Sequence, residues 1–223
     1  MSITDRNLKT FIDYYIYDKK RLPDFLKNLE INDWDVSNVT DMSNTFLNCE
    51  TFNEPLNRWD VSNVVIMVDM FSGCIMFNQS LNNWDVSNVI TMNNMFNGCS
   101  VFNQSLNNWN VSKVIDMTEM FRNCRNFNKS LYEWNTISLE TEIEDMFQGC
   151  PINENNKPRQ RITQRIILDN GNVRYKYFLM ERKGFGGGKI YLKRRRTTKK
   201  AKKTKKARRT KKTRRTKKNY KNY

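Results

Sequence analysis

The chain has 223 residues, with 39 Lys or Arg against 23 Asp or Glu, a formal net charge of +16 and no histidine. The missing histidine excludes His-based catalytic triads, His general bases and His metal ligands. The first residues lack the charged-then-apolar layout of a secretory signal, and no apolar run approaches the roughly 18 residues of a membrane span. We therefore expect a soluble, intracellular protein.

The charge is distributed unevenly along the chain. Residues 1–150 hold 11 basic and 20 acidic residues, residues 151–192 hold 9 and 3, and residues 193–223 hold 19 and none. The sequence therefore predicts an acidic body, a small basic module and a strongly basic tail. Within the body, residues 1–30 are predicted to form a helical N-terminal cap and residues 31–150 to form five repeats.

The cap is predicted to contain an amphipathic helix from Thr4 to about Lys20, which ends before Pro23 because proline cannot continue a helix. One face of this helix is apolar and consists of Leu8, Phe11, Ile12, Tyr15 and Ile16. We expect this face to cover the first repeat, since a stack of repeats needs a cap at each end.

Residues 31–150 repeat with a period of 25. The five tryptophans of the chain follow this spacing at Trp34, Trp59, Trp84, Trp109 and Trp134. In the third repeat, Trp84–Ser87 alternates apolar and polar residues, which is typical of a half-buried strand. Later in the same repeat, four apolar residues have the i, i+3, i+4, i+7 spacing of a helix face, namely Met92, Met95, Phe96 and Cys99. The pattern predicts an α/β repeat solenoid, a leucine-rich-repeat-like stack of short parallel strands and short helices.

The third repeat also shows a family resemblance. It reads Trp84-Asp85-Val86-Ser87-Asn88-Val89, then Met95-Phe96-Asn97-Gly98-Cys99, then Phe102-Asn103-Gln104-Ser105-Leu106. This sequence resembles the repeat of BspA-like leucine-rich-repeat surface proteins, the Mycoplasma-type lipoprotein repeat that also occurs in large DNA viruses. The resemblance covers residues 31–150, with four good copies and a fifth copy that slips by one residue. It implies a curved parallel-strand solenoid used for binding.

All five cysteines occupy one column, by which we mean the equivalent positions of successive repeats. They are Cys49, Cys74, Cys99, Cys124 and Cys150. One interpretation is a metal or disulfide ladder, and the other is a small apolar side chain packed in the core. The chain has no Cys-x-x-Cys pair and no histidine, which favours packing. We predict no metal site and no cofactor.

A strip of polar and acidic residues follows the tryptophans on the predicted concave face. We call it the acidic strip, and it consists of Asp35, Ser37, Asp60, Ser62, Asp85, Ser87, Asn110 and Ser112. Stacked carboxylates about 4.8 Å apart repel one another, so the strip is a candidate binding surface for a cation or a basic partner. The alternative is that each Asp bonds the backbone of its own turn. A second column, Asn53, Asn78, Asn103 and Asn128, is expected to form a turn-stabilising amide ladder.

Residues 151–192 are predicted to form a basic β-hairpin module. Two apolar-alternating runs within residues 161–180 flank the turn sequence Asp169-Asn170-Gly171-Asn172, and Lys189–Leu192 predicts a third strand. The glycine-rich segment 184–189 lacks the spacing of a phosphate-binding loop, so we expect a flexible turn. The module either contacts nucleic acid or docks onto the end of the solenoid.

The tail, residues 193–223, repeats two basic residues and one small residue without an apolar stripe, so we expect a disordered polycation. Such a segment binds nucleic-acid phosphates with release of counterions and without sequence preference. The predicted nucleic-acid-binding residues are Lys193, Arg194, Arg195, Arg196, Lys199, Lys200, Lys202, Lys203, Lys205, Lys206, Arg208, Arg209, Lys211, Lys212, Arg214, Arg215, Lys217 and Lys218. A nuclear address and an intramolecular partner for the acidic body are the alternatives.

The sequence therefore favours a non-enzymatic interaction protein. Its solenoid is predicted to bind a protein partner, and its tail to bind DNA or RNA in a nucleus, a viral factory or a virion. A surface or adhesion protein is the alternative that the resemblance implies, and a tail that serves only nuclear targeting is another. We expect no membrane contact, and a monomer unless the chain is assembled into a larger particle.

Overall fold

The computed structural model describes residues 2–136, 143–158, 161–167, 173–181 and 191–192. The regular elements are helix α1 (Leu8–Tyr17) and strands β1 (Arg161–Ile167), β2 (Val173–Glu181) and β3 (Tyr191–Leu192). Short 3-10 turns lie at Lys19–Arg21, Ile31–Asp33, Ile143–Phe147 and Glu154–Asn156. No helix in the described part of the chain combines the length and apolar character needed to cross a membrane.

Helix α1 has the predicted apolar face but is shorter than predicted. Its buried residues are Leu8, Phe11, Ile12 and Tyr15. The helix ends at Tyr17, because Asp18 adopts a φ of −155°, outside the helical region. The predicted end before Pro23 is therefore wrong, since a separate 3-10 turn lies between the helix and the proline.

Inside the repeats, the backbone forms neither the strand nor the helix that the sequence predicts. Trp84–Ser87 contains no regular strand, and Thr91–Cys99 is a run of overlapping turns that starts at an isolated bridge. Asn94 and Gly98 have φ values of 56° and 76°, a left-handed conformation that interrupts a right-handed helix. Successive turns place apolar side chains at nearly the same intervals as a helix does, so the apolar spacing alone did not distinguish the two.

Alternate backbone N–H groups in each run of turns donate to the next repeat. In the first repeat, the N–H groups of Met42, Asn44, Phe46 and Asn48 donate to the carbonyls of Ile66, Val68, Met70 and Ser72 at 2.7–2.9 Å. The same pattern joins the second repeat to the third and the third to the fourth. Isolated parallel bridges pair Asp41 with Ile66, Ile66 with Thr91, and Thr91 with Asp116. Adjacent repeats therefore satisfy each other's backbone groups in register.

The buried core consists of columns of equivalent side chains. All five tryptophans are only 2–3% exposed. The column Phe46, Phe71, Phe96, Phe121 and Phe147 is stacked, with successive ring centroids 5.2–5.7 Å apart. The contact between Phe121 and Phe147 confirms the predicted one-residue slip in the fifth repeat. Because each buried aromatic side chain stabilises the fold by roughly 1.5–3 kcal/mol, these columns are a main driving force for folding.

The indole N–H groups add hydrogen bonds between repeats. Nε1 of Trp59, Trp84, Trp109 and Trp134 donates to the carbonyl of Ile31, Leu56, Leu81 and Leu106, respectively, at 2.7–3.0 Å. The buried Nε1 of Trp34 has no hydrogen-bond partner among the described residues. Since an unpaired buried donor is costly, each of the other four indoles favours the correct register of its repeat on the preceding one.

The N-terminal segment replaces the hydrogen bonds that a preceding repeat would make. Val65 donates its N–H to Thr40 of the preceding repeat, whereas Thr40 has no repeat before it. Instead, the Asp5 carboxylate accepts the N–H groups of Thr40 and Asp41 and the Thr40 hydroxyl at 2.7–3.1 Å. Partial burial raises the pKa of Asp5, but the bonds from Thr40 and Asp41 outweigh that effect and hold the pKa below its usual value of 3.8.

The variant Asp5→Ala is expected to lower the free energy of unfolding by about 1 kcal/mol at neutral pH, a value that allows for the exposure of the carboxylate. A carboxyl whose pKa is lower in the folded state stabilises the fold above its unfolded pKa. That contribution is lost as the pH falls through the folded pKa, so the difference between wild type and variant should shrink below about pH 4. Urea denaturation of both chains at several pH values measures this difference in the free energy of unfolding.

The matched control for Asp5→Ala is Asp24→Ala, which removes an exposed carboxylate that pairs with Lys27 at 2.7 Å. Exposed ion pairs contribute little, so we expect a smaller loss of stability from the control. Equal losses from the two variants would contradict a capping role for Asp5.

The β-hairpin that the sequence predicts after the repeats is present. Strands β1 and β2 pair antiparallel, from Arg161 opposite Leu179 to Ile167 opposite Val173. Strand β3 pairs antiparallel with β2, with Met180 opposite Leu192, so the sheet order is β1-β2-β3. The predicted Asn-Gly turn and the glycine-rich segment 184–189 lie outside the described residues.

Candidate interaction surface

The acidic strip is built from a turn that recurs in every one of the first four repeats. Asp35 Oδ1 accepts the N–H and the hydroxyl of Ser37 at 3.0 and 2.6 Å. The same bond to the serine N–H, at 3.0–3.2 Å, recurs from Ser62 to Asp60, from Ser87 to Asp85 and from Ser112 to Asn110. The alternative interpretation, that these side chains bond the backbone of their own turn, is therefore confirmed, while their use as a binding surface stays a prediction.

The turn bonds leave the carboxylates of the acidic strip in contact with solvent. Asp35, Asp60 and Asp85 are exposed. Hydrogen bonds from Ser37 and Ser87 lower the pKa of Asp35 and Asp85 below the usual value of 3.8. Both side chains are therefore negatively charged at neutral pH and are available to a partner through the oxygen that the turn does not use.

Asparagine side chains hold the acidic strip in register. The Nδ2 groups of Asn63 and Asn88 donate to the carbonyls of Ser37 and Ser62 in the preceding repeat, at 2.9 and 2.8 Å. In the fourth repeat a lysine takes this position, and Lys113 Nζ donates to the Asn88 side chain at 2.7 Å. The structure thus brings the strip residues of successive repeats together along one line.

The first three repeats carry a net negative charge that the fourth repeat does not continue. Residues 31–105 contain eight acidic residues and one basic residue, Arg58, which forms an ion pair with Asp33. The fourth repeat has Asn110 in place of the aspartate and carries Lys113, which helps to lower the pKa of Asp85. A partner that recognises the negative charge would therefore contact the first three repeats.

The cysteine column lies in the core. All five cysteines are free thiols, and Cys74, Cys99 and Cys124 are fully buried. Their Sγ atoms donate to the carbonyls of Phe46, Phe71 and Phe96 in the preceding repeat at 2.9–3.0 Å. Burial raises the pKa of all three thiols. The packing interpretation is confirmed, and the thiol also pairs a backbone carbonyl that the sequence alone did not identify.

The asparagine ladder is also present and is longer than predicted. Asn53, Asn78, Asn103 and Asn128 each accept, through Oδ1, the N–H of the next asparagine at 2.8–3.1 Å. The last donor is Asn153, which the predicted ladder did not include. Asn156 Nδ2 donates to the Asn128 carbonyl at 2.8 Å, and its own carbonyl accepts the Leu131 N–H at 2.7 Å. These contacts cap the C-terminal end of the ladder.

The structure shows one surface that the sequence did not predict. We call it the apolar ridge, and it consists of Ile75, Met76 and Val101. Ile75 and Met76 are neighbours in the sequence and are 40% and 50% exposed, and a contiguous exposed apolar patch indicates an interaction surface more than a single exposed side chain does. Two exposed charged residues, Glu50 and Arg125, occupy the same column as Ile75. Because this column varies between repeats, a search for shared residues does not detect it.

Two other predictions concern the basic tail and metal binding. The predicted nucleic-acid-binding residues of the tail lie outside the described residues. Within the described part of the chain, no group of three or more Cys, Asp or Glu side chains is arranged to hold a metal ion.

The in-register hydrogen bonds and the 25-residue period define a tandem-repeat protein. The family model described as "Mycoplasma protein of unknown function, DUF285" matches residues 20–107 and residues 56–160. The chain therefore belongs to this family, which is the family of BspA-like Mycoplasma repeat proteins. Neither the comparison with curated proteins nor the comparison with solved structures gave a match.

Proposed function

We propose that the protein is a non-enzymatic scaffold with two binding regions. Its repeats form one continuous solenoid that binds a protein partner through the acidic strip, and its tail binds nucleic acid without sequence specificity. The single observation behind the nucleic-acid part is the composition of residues 193–223, with 19 basic and no acidic residues. The sequence also lacks histidine, the commonest general acid and base of enzymes.

The solenoid part of the proposal is supported by bonds that recur between repeats. Backbone N–H groups, indole Nε1 atoms, cysteine Sγ atoms and asparagine side chains all link a repeat to its neighbour. A single 25-residue unit would leave these groups unpaired, so each unit depends on the next for stability. Solenoids present long rows of equivalent side chains, and such rows suit the recognition of an extended partner.

The partner part is supported by the charge of the acidic strip. Asp35, Asp60 and Asp85 are exposed on successive repeats, and no basic side chain within the described residues forms an ion pair with any of them. Closely spaced like charges raise the energy of the free protein, and a basic partner lowers it. We therefore propose a basic protein segment as the partner of this strip.

The tail part makes a quantitative prediction about nucleic-acid binding. Each phosphate that the tail neutralises on duplex DNA contributes about −0.9 to the slope of log affinity against log salt concentration. We expect the full chain to lose about 10³-fold or more in affinity between 50 and 200 mM salt, with no preference between unrelated duplexes. Filter binding with a random-sequence duplex and a single strand of the same length measures both quantities.

The matched controls for the tail experiment are two altered chains. One ends after Leu192, and the other keeps the full length but has glutamine at the 18 predicted nucleic-acid-binding positions. Both should bind duplex DNA at least about 10³-fold more weakly than wild type at 50 mM salt. If either chain retained wild-type affinity and salt dependence, the tail would not be the nucleic-acid-binding region.

The same tail supports a second candidate function, a nuclear targeting signal, because short clusters of Lys and Arg also serve as nuclear addresses. An intracellular location, including packaging beside the genome of a large DNA virus, is part of the proposal. Mass spectrometry of purified particles tests the packaging, and a fluorescent fusion with and without residues 193–223 tests the targeting.

A further inference from the structure

The apolar ridge has a simple arrangement along the repeats. Backbone bonds join Met76 N–H to the Glu50 carbonyl at 2.9 Å and Val101 N–H to the Ile75 carbonyl at 3.4 Å. The N–H of the residue after Arg125 donates to the Ser100 carbonyl at 3.1 Å. The column therefore runs in the order Glu50, Ile75, Ser100, Arg125 over four successive repeats.

The spacing of the ridge follows from the phenylalanine column beside it. The rings of Phe52, Phe77, Phe102 and Phe127 lie next to the ridge in sequence, with successive centroids 6.0, 6.1 and 5.9 Å apart. Glu50 and Arg125 are three such steps apart. The apolar side chains lie between them, so the surface has an acidic end, an apolar middle and a basic end.

The two terminal charges are not used within the repeats. Glu50 and Arg125 are exposed, and neither forms an ion pair with another described residue. Tyr17 is the most exposed large apolar side chain in the described part of the chain, at 70%, and it interacts with Cys49, the residue before Glu50. Its hydroxyl is close to the Cys49 thiol, whose charged form raises the pKa of the tyrosine.

We propose that the apolar ridge binds a second copy of this chain about a two-fold axis. A two-fold axis perpendicular to the ridge, between Ile75 and Ser100, reverses the direction of the second copy. Glu50 of each copy then faces Arg125 of the other, and the apolar middles meet. A surface with opposite charges at its two ends is self-complementary under this operation, which is the requirement for a symmetric dimer.

Complementary charge favours a second copy over a different partner. A patch of three apolar side chains and two charges is far smaller than the interface of about 1,200–2,000 Å² that tight complexes bury. The dimer is therefore weak, and it depends on salt because both ion pairs lie at the rim. This inference departs from the monomer that the sequence predicts, and it is independent of the proposed binding of nucleic acid.

Charge exchange tests the two-fold arrangement directly. In Glu50→Arg alone, two arginines face each other at both ends of the interface, and in Arg125→Glu alone, two glutamates do. We expect each variant to associate at least about tenfold more weakly than wild type, since like charges across an interface repel. A mixture of the two variants restores both attractive pairs and should form a heterodimer with wild-type affinity. Sedimentation equilibrium of the full chain, nuclease-treated and at low salt, measures the association.

Matched controls carry the same charge changes on other surfaces. Asp60→Arg changes the acidic strip and Lys113→Glu changes the fourth repeat, and both should associate within about twofold of wild type. Met76→Asp should weaken the dimer, whereas Ile90→Asp, at a residue that is 42% exposed outside the ridge, should not. Circular dichroism melting of each variant confirms that it is folded before association is compared.

The outcomes separate clearly. Weaker association of both single variants, together with recovery in their mixture, supports the proposal. A monomeric wild-type chain at low salt overturns it, and so does a mixture that stays monomeric. Equal weakening by Met76→Asp and Ile90→Asp would also overturn it, because the contact would then not be specific to the ridge.

Discussion

Gly73→Ala is expected to lower the free energy of unfolding by about 2–4 kcal/mol, whereas Gly98→Ala lowers it by about 1–2 kcal/mol. Both glycines are left-handed, with φ values of 77° and 76°, so both alanines incur the same backbone cost. Of these two glycines, Gly73 lies against a side chain of the preceding repeat, whereas Gly98 faces the backbone of Gly73. A Cβ at Gly73 would overlap Asn48 Oδ1 and approach Asn48 Cα and Cγ at 3.2 and 3.3 Å.

The clash is specific to one pair of residues, so a second substitution separates it from the backbone cost. Asn48 is itself left-handed, with φ 59°, and glycine tolerates that conformation. Asn48→Gly in the Gly73→Ala background should therefore recover the extra loss and bring the variant close to Gly98→Ala. Urea denaturation of the four chains of this double-mutant cycle gives the coupling. A coupling of zero would show that the Asn48 side chain simply moves aside.

The apolar columns of the repeats could be predicted from the sequence because burial depends on residue type and period. Trp84, Met92, Phe96 and Cys99 are all buried as the 25-residue pattern indicates. The local backbone was predicted wrongly, because a run of four-residue turns and a helix both place apolar side chains three and four positions apart. A signal against the helix was available in Asn93, Asn94, Asn97 and Gly98, which are poor helix formers.

Of the two candidate surfaces, one could be predicted from the sequence and the other could not. The acidic strip and its turn bonds followed from repeated Asp and Ser, because these residues bond their own backbone wherever the turn recurs. The apolar ridge did not follow, since its members are the residues that differ between repeats. Only the fold shows that Glu50, Ile75 and Arg125 lie in one line. A comparison of the repeats for variable positions, rather than shared ones, would have identified this column.

Trp84→Phe is expected to lower the free energy of unfolding by about 3 kcal/mol. The smaller ring leaves a cavity in the core, and the variant loses the hydrogen bond from Trp84 Nε1 to the Leu56 carbonyl at 3.0 Å. That bond joins the third repeat to the second, so its loss weakens the contact between neighbouring repeats. Denaturation followed by circular dichroism measures the change without relying on tryptophan fluorescence.

Trp34→Phe is the matched control, because the same atoms are removed from an equally buried side chain. Trp34 and Trp84 are 2% and 3% exposed, but Nε1 of Trp34 has no hydrogen-bond partner among the described residues. Phenylalanine therefore leaves a similar cavity. It also removes an unpaired buried donor, and because such a donor destabilises the wild-type fold by about 1–3 kcal/mol, its removal offsets part of the cost of the cavity. We expect Trp34→Phe to cost about 1 kcal/mol or less. Equal losses from the two substitutions would mean that the indole bonds between repeats contribute little, and that the backbone bonds and the stacked rings hold the repeats in register without them.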